Sequence, residues 1–124
     1  MIAVDTSSLI AFFGGEDGRD VEGVDEALEL RLAVLPPVVL TEILSDPELD
    51  SELAELILDL PTLEVLPGYW ERAAALRAKV LAKRRRARLA DTLIAQSCID
   101  HEAPLVTRDT DFRHFAQDGG LVLV

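Results

Sequence analysis

The sequence predicts an α/β fold in which a mostly parallel sheet carries helices on both faces. Three observations lead to this prediction. Five short, mostly apolar runs of strand length occur along the chain, and one or more stretches with helical periodicity separate most of them. Apolar strands without polar alternation are typical of parallel sheets that are buried on both faces. The 124 residues contain no internal repeat or low-complexity linker, so we expect one domain over residues 1–124.

The predicted strands are the short apolar runs that end at a charged residue, a proline or a turn. They lie at residues 2–4, 32–35, 63–66, 105–107 and 121–124. Asp5 follows the first of these runs and Asp109 follows the fourth. In a parallel sheet of this kind, ligands gather beyond the carboxyl ends of the strands. These two acids therefore indicate where a functional site belongs.

The first two predicted helices have clear sequence signals. Asp5 or Thr6 is suited to cap a helix that ends at the glycines of positions 14 and 15. The second helix, over residues 21–31, places apolar side chains at Val21, Val24 and Leu28 and charges between them. Further helices are predicted after the two prolines and along the second half of the chain, over residues 38–44, 49–60, 69–86, 89–99 and 112–116.

Apolar spacing predicts which side of the two long helices faces the core. The helix over residues 69–86 has a stripe formed by Trp70, Ala73, Leu76, Val80 and Leu81. In the helix over residues 89–99, the residues expected to face inward are Leu89, Leu93 and Ile94.

The composition limits the classes of protein to consider. A hydrophobic content of 49% is enough for a folded core. No apolar run approaches the roughly 18 residues that a membrane span requires, and the first residues lack the pattern of a secretory signal. Cys98 is the only cysteine, so neither an internal disulfide nor a paired-cysteine metal site is expected. We expect a soluble, cytoplasmic protein that makes no contact with a membrane.

The charge is unevenly distributed along the chain. The formal net charge is −11, yet seven of the twelve basic residues lie between positions 77 and 88 with no acid among them. A net negative charge argues against a nucleic-acid partner, but the distribution of charge matters more than its sum. The sequence therefore predicts one basic surface on an otherwise acidic molecule.

Each candidate acid also has an ordinary structural explanation. Asp5 is suited to cap a helix, and Asp91 lies in a first helical turn, where the helix dipole favours a negative charge. Glu42 is a common residue on a solvated helix face, although its neighbours are apolar and we expect burial there, where a carboxylate needs a partner. Asp109 and Asp111 suit a turn, and Asp111 is also placed to cap the short helix over residues 112–116.

Taken together, the acids favour a metal site. Carboxylates that lie close together repel one another unless a cation or a proton sits among them. Mg²⁺ and Mn²⁺ prefer oxygen ligands. His101 and His114, which we expect at the surface, lack zinc-ligand spacing, and no Ser–His or Cys–His nucleophile is evident. The residues thus predict hydrolysis by metal-activated water, with the metal also neutralising a phosphate.

Four stretches carry a resemblance to a known family: Val4-Asp5-Thr6-Ser7, Thr41-Glu42, Ala90-Asp91-Thr92-Leu93-Ile94-Ala95 and Leu105-Val106-Thr107-Arg108-Asp109-Thr110-Asp111-Phe112. In this order and across essentially the whole chain, the sequence resembles the PIN-domain family, and within it the toxin ribonucleases of VapBC-type toxin–antitoxin pairs. The resemblance implies a three-layer α/β/α sandwich and a Mg²⁺- or Mn²⁺-dependent endoribonuclease. It also implies an antitoxin partner and a homodimer.

The resemblance also implies roles for individual residues. Four acids match the family's acidic positions and are implied to be catalytic and metal-binding, with Glu42 binding directly or through water: Asp5, Glu42, Asp91 and Asp109. Polar residues that match the lining of the site are Thr6 or Ser7 and Thr107. Asp111 is an accessory candidate, either near the metal or as a helix cap.

One feature departs from the family pattern, which does not require a run of four cations. We predict that the basic segment positions the RNA backbone through Lys83, Arg84, Arg85, Arg86 and Arg88. The alternative is a solvated helix end whose charges only improve solubility.

The main rival function is a catalytically silent PIN-fold module that binds RNA or protein. Phosphotransfer domains also use Asp and Mg²⁺ on a parallel sheet, but Ser7 stands where a dehalogenase-type site needs a second Asp. A receiver domain needs a late lysine, and none follows Lys83. The glycine-flanked early glutamate of a Toprim domain is also missing.

Overall fold

A three-stranded parallel sheet lies at the centre of the computed structural model, which describes all residues from 1 to 124. The strands are β1 (Ile2–Val4), β2 (Ala33–Val34) and β3 (Leu105–Val106), in the order β2-β1-β3. Val4 of β1 pairs with Val106 of β3. The carboxyl ends of these two strands therefore lie side by side, and the prediction of a central parallel sheet is confirmed.

Two predicted strands are absent. Residues 63–66 and 121–124 each contact the sheet near one isolated bridge. The first bridge joins Leu35 to Thr62 at one edge of the sheet, and the second joins Leu105 to Leu123 at the other edge. The interpretation of these runs as buried strands was wrong, because most of their apolar side chains lie exposed to solvent. Val124, for example, is 74% exposed. A strand in a parallel sheet is normally buried on both faces, and an apolar run that stays exposed gains little from pairing with the sheet over a greater length.

Seven α-helices surround the sheet: α1 (Thr6–Phe13), α2 (Arg19–Glu29), α3 (Pro37–Leu44), α4 (Ser51–Leu58), α5 (Tyr69–Ala82), α6 (Leu89–Asp100) and α7 (Arg113–Gly119). A 3₁₀ turn, Thr110–Phe112, precedes α7. As predicted, α1 begins after its cap Asp5 and ends at Gly14. None of the helices has the length and hydropathy needed to cross a membrane.

The fifth helix is shorter than its sequence predicts. It ends at Ala82, and Arg84 adopts the left-handed conformation with φ of 58°. The N–H groups of Arg84 and Arg85 turn back to the carbonyls of Leu81 and Val80. Lysine and arginine favour helices only weakly, so contacts with other parts of the fold readily override that preference.

The inward face of α5 also differs from the predicted stripe. Tyr69 is buried, whereas Trp70 and Leu81 are 60% and 45% exposed. The Tyr69 hydroxyl donates a hydrogen bond of 2.6 Å to the carbonyl of Leu93, which joins α5 to α6. Leu89, predicted to face inward, is exposed because it is the first residue of α6.

One core unites the sheet and the helices. It contains residues of all three strands together with Leu9, Ile94 and Phe112. Helix α2 packs against β2 and β3, while α5, α6 and α7 pack against one another. The layers form an α/β/α architecture, as predicted, and they leave the carboxyl ends of β1 and β3 facing the start of α6.

A candidate carboxylate site at the edge of the sheet

Asp5 lies at the carboxyl end of β1 and is 4% exposed. Its Oδ1 accepts a hydrogen bond from the backbone N–H of Thr6, so it caps α1. Its Oδ2 accepts hydrogen bonds from the hydroxyls of Ser7 and Thr107, at 2.7 and 2.8 Å. Burial raises the pKa of Asp5, although these three donors act in the opposite direction. The same carboxylate is therefore both a helix cap and a member of the site.

Thr107 connects the two central strands at the site. Its hydroxyl donates to Asp5 and accepts a hydrogen bond of 3.0 Å from the backbone N–H of Asp109. Asp109 Oδ1 in turn accepts a hydrogen bond from the N–H of Asp111. Asp109 is therefore the residue that caps the 3₁₀ turn, and the suggestion that Asp111 caps the final helix is wrong.

Glu42 is exposed on α3, so the expectation that it is buried among apolar neighbours is wrong. Val39 and Ile43 occupy the buried face of this helix, and Glu42 lies on its solvent side. The hydroxyl of Thr6 donates a hydrogen bond of 2.7 Å to Glu42 Oε1. This bond places Glu42 beside the first turn of α1, one residue from Asp5.

Asp91 completes the group from the first turn of α6. Its pKa is raised to about 6, first by burial and then by the negative charges of Asp109, Asp5 and Glu42, while Arg88 acts in the opposite direction. A carboxylate responds to other charges in this way only when they lie close to it. The structure thus brings all four sequence-predicted acids into one electrostatic cluster.

The chemistry of this cluster fits a hard divalent cation. All its donors are oxygens, which Mg²⁺ and Mn²⁺ prefer, and besides burial the neighbouring carboxylates raise the pKa of Asp91, as expected where like charges lie close together. No group of three or more His, Cys, Asp or Glu side chains is arranged to enclose a metal ion. Mg²⁺ does not need such an enclosure, because it usually binds through one or two carboxylates and keeps several waters.

The two histidines lie apart from the carboxylates. His101 Nε2 is 2.8 Å from the carbonyl of Glu64, and His114 Nδ1 is 3.2 Å from that of Arg86. Both residues are partly exposed, in agreement with the expected position at the surface. Each imidazole contacts a backbone carbonyl, and neither makes a hydrogen bond to a carboxylate of the cluster.

The basic residues near the cluster divide into two groups. Arg86 lies 3.7 Å from Asp111, and Arg88 is close enough to lower the pKa of Asp91. Lys83 and Arg85 instead form ion pairs with Asp118 on α7, and the side chain of Arg84 is exposed. The segment is therefore not a continuous surface of free cations.

Sequence reasoning missed one polar network beside the site. Arg108, between Thr107 and Asp109, donates to both carboxylate oxygens of Asp20 at 2.8 and 3.2 Å. The hydroxyl of Ser8, which is fully buried, also donates to Asp20. This network ties the α1–α2 connection to the loop after β3. The signal available in the sequence was Ser8, a hydroxyl within the apolar run of α1.

The fold and the site define the class of protein: a small three-layer α/β protein with a carboxylate cluster at the carboxyl edge of its parallel sheet. A model of the PIN domain matches residues 2–118. The chain therefore belongs to the PIN-domain family, which at the level of the family supports a nuclease. A comparison with curated proteins gives no significant match.

Solved structures share the fold along the whole chain. VapBC2 from Rickettsia felis, bound to a DNA fragment from their promoter, matches with a TM-score of 0.73 and 21% identity, covering 100% of this chain and 98% of the other. FitAcB from Neisseria gonorrhoeae matches at 0.71 and 16%, covering 99% and 96%. VapBC-5 from Mycobacterium tuberculosis matches at 0.64 and 24%, covering 99% and 98%.

Proposed function

We propose that residues 1–124 form a single PIN domain that acts in the cytoplasm as a metal-dependent endoribonuclease, the toxin of a type II toxin–antitoxin pair. The observation that carries this proposal is the electrostatic cluster of four carboxylates, in which the pKa of Asp91 is raised to about 6. Membership of the PIN-domain family and the fold shared with VapBC proteins support the same activity.

Asp5, Asp91 and Asp109 would hold Mg²⁺ or Mn²⁺, and Glu42 would contribute directly or through water. A bound divalent ion supplies an activated water and neutralises charge on the phosphate. The chain's own residues set the geometry. Thr107 fixes Asp5 and the backbone of Asp109 in one arrangement. Because these positions are fixed before substrate binds, little reorganisation is needed during the reaction.

The substrate we propose is RNA whose phosphates contact the basic residues next to the cluster. Arg84, Arg86 and Arg88 are exposed, and arginine binds phosphate oxygens with two parallel hydrogen bonds. A molecule with a net charge of −11 repels RNA elsewhere on its surface. The proposed contacts therefore concentrate the substrate where the carboxylates lie.

The decisive experiment measures cleavage of a labelled single-stranded RNA by the purified chain in Mg²⁺, in Mn²⁺ and in EDTA. We expect cleavage only with metal, and products with 5′-phosphate and 3′-hydroxyl ends. Asp5→Asn and Asp91→Asn should each remove most of the activity. Asp100→Asn is the matched control, since Asp100 pairs with Arg72 at a distance from the cluster.

Two outcomes would contradict this proposal. Cleavage that survives EDTA, or products with 2′,3′-cyclic phosphates, would exclude the metal-activated water. RNA binding without cleavage in either metal would make the chain the catalytically silent module considered above.

Asp111→Asn should lower the nuclease activity less than Asp5→Asn does. An equally severe loss of activity would place Asp111 among the metal-binding residues.

We also propose an antitoxin partner, because one structural neighbour is a member of the VapBC family of toxin–antitoxin systems and another is a toxin–antitoxin complex from Klebsiella pneumoniae. A groove between α1, α3 and α4 has an apolar floor that includes Phe13, Leu53 and Ile57 and a rim that includes Asp46 and Glu48. An antitoxin segment with apolar and basic side chains would suit it, and an arginine from that segment would compete with metal at the carboxylates. Failure of the neighbouring reading frame to relieve toxicity on co-expression would count against this partner.

A homodimer is the last part of the proposal. Trp70 and Leu89 are each 60% exposed and line one depression with Ala74 and Leu93. Burying large exposed apolar side chains favours association. We expect light scattering to show a dimer at micromolar concentration and Trp70→Lys to weaken it. A strictly monomeric wild-type chain would contradict this part alone.

A further inference from the structure

The connection between α5 and α6, residues 83–88, is here called the basic loop. It contains five cations and adopts one defined path. The carbonyl of Ala87 accepts a hydrogen bond of 2.9 Å from Arg77, and His114 contacts the carbonyl of Arg86. A loop with this many like charges has no intrinsic reason to stay ordered, so its anchors determine where the charges lie.

The main anchor is Asp118 on α7. Its side chain is 1% exposed and forms an ion pair with Lys83, while Arg85 lies 3.6 Å from its second oxygen. The hydrogen bond from Lys83 lowers the pKa of Asp118, which therefore stays charged at neutral pH. The side-chain oxygen of Gln117 accepts a hydrogen bond from Arg85, at 2.6 Å. Two of the five cations thus contact α7.

The other three cations are available to a ligand. Arg86 is 61% exposed at its side chain and pairs only with Asp111, at 3.7 Å, while Arg88 is exposed and lies near enough to Asp91 to lower its pKa. Arg84 is exposed and makes no ion pair. The backbone conformation that points these residues outward is the one that the Lys83 and Arg85 contacts with α7 hold in place.

We infer that Asp118 is a positioning residue for RNA. Asp118 holds the basic loop in place through its ion pairs with Lys83 and Arg85. In this position Arg84, Arg86 and Arg88 contact substrate phosphates beside the carboxylates. The inference rests on the proposed function and deepens it. Fixing the loop in advance removes the cost of ordering it when RNA binds.

The test compares Asp118→Asn with the wild-type chain. We expect KM for RNA to rise about three- to tenfold, kcat to stay within about twofold, and backbone amides of residues 84–88 to exchange hydrogen faster. Asp118→Glu should recover most of the loss. Asp100→Asn, which also breaks an arginine–carboxylate pair, should leave KM and the loop exchange unchanged.

A second variant keeps the test decisive if Asp118→Asn fails to fold. Gln117 is exposed and uncharged, so Gln117→Ala removes one anchor of Arg85 without altering net charge. It should raise KM in the same direction, by a smaller factor. Where Asp118→Asn folds, a double-mutant cycle adds a further check. Asp118→Asn should raise KM by a smaller factor in the Arg86→Gln background than in the wild type, because Asp118 acts on RNA binding through Arg86.

Three results would overturn the inference. Unchanged KM in a folded Asp118→Asn variant would reduce Asp118 to an anchor of the fold. A lower KM with a steeper salt dependence would mean that Asp118 masks cations that bind RNA themselves. A wild-type chain that neither binds nor cleaves RNA would overturn the proposed function, and this inference with it, whereas the first two results leave the proposed function intact.

Discussion

Replacing Asp91 with Asn should stabilise the metal-free protein at neutral pH. The pKa of Asp91 is about 6 in the folded chain, against an ordinary value of 3.8. Because one pKa unit corresponds to about 1.4 kcal/mol, the full difference would be about 3 kcal/mol. Part of the side chain is in contact with solvent, which screens its charge, so we expect about 1–2 kcal/mol.

The sign of the pH dependence follows from the direction of the shift. Below about pH 4, Asp91 is protonated in both the folded and the unfolded chain, and the variant should gain nothing from the lost charge. As pH rises to about 6, the unfolded chain ionises first, so the wild type loses stability relative to the variant. Above pH 6 the difference should be constant.

Urea unfolding in EDTA at several pH values between 4 and 8 measures this difference directly. Thermal unfolding should show a shift of roughly 4 °C per kcal/mol for a chain of this size. Asp100→Asn is the control with the opposite sign. Arg72 lowers the pKa of Asp100, so removing the negative charge of Asp100 should destabilise the protein at neutral pH. The reasoning would be refuted if the difference in unfolding free energy between Asp91→Asn and the wild type did not vary with pH. It would also be refuted if Asp91→Asn were less stable than the wild type at pH 7.5.

Further predictions concern single contacts. Tyr69→Phe removes the hydrogen bond to Leu93 and should lower the free energy of unfolding by about 1 kcal/mol in urea titrations; no change would mean that water replaces the hydroxyl. Thr107→Val should reduce kcat about tenfold or more, since a lost orienting group disturbs the reacting geometry, whereas Thr107→Ser should stay close to wild type; equal activity of both variants would exclude the proposed role. Glu102 has φ of 53°, so Glu102→Gly should raise the melting temperature, because it relieves about 1–2 kcal/mol of left-handed strain against about 0.5–1 kcal/mol of conformational entropy that glycine adds to the unfolded chain; a decrease would show that the Glu102 side chain contributes more than its backbone costs.

The parallel sheet and the position of the candidate site were accessible from sequence because they depend on local signals. Short apolar runs indicate buried strands, and an acid directly after such a run lies at the edge where strands end. Asp5 and Asp109 were found in this way. Periodicity also marked Ala73, Leu76 and Val80 as the buried face of α5.

The parts that were missed depend on contacts between distant residues. Helix α5 ends at Ala82, directly before Lys83 and Arg85, which pair with Asp118 more than thirty positions away. Likewise, Glu42 is exposed because α3 turns Val39 and Ile43 inward, which apolar composition alone does not specify. A sequence pattern lacks the information that decides which side of a short helix meets the core.

The hydrogen bond between Thr107 and Asp5 joins residues that lie 102 positions apart. During synthesis, a ribosome that has added the first hundred residues has produced β1 and six helices without the loop that carries Asp109. Domains are made from the N-terminus onwards, so the carboxylate cluster assembles only after residues 107–109 have been added. If the chain cuts RNA, as we propose, a nascent copy that still lacks residues 107–109 is harmless to the messenger and the ribosome that are making it.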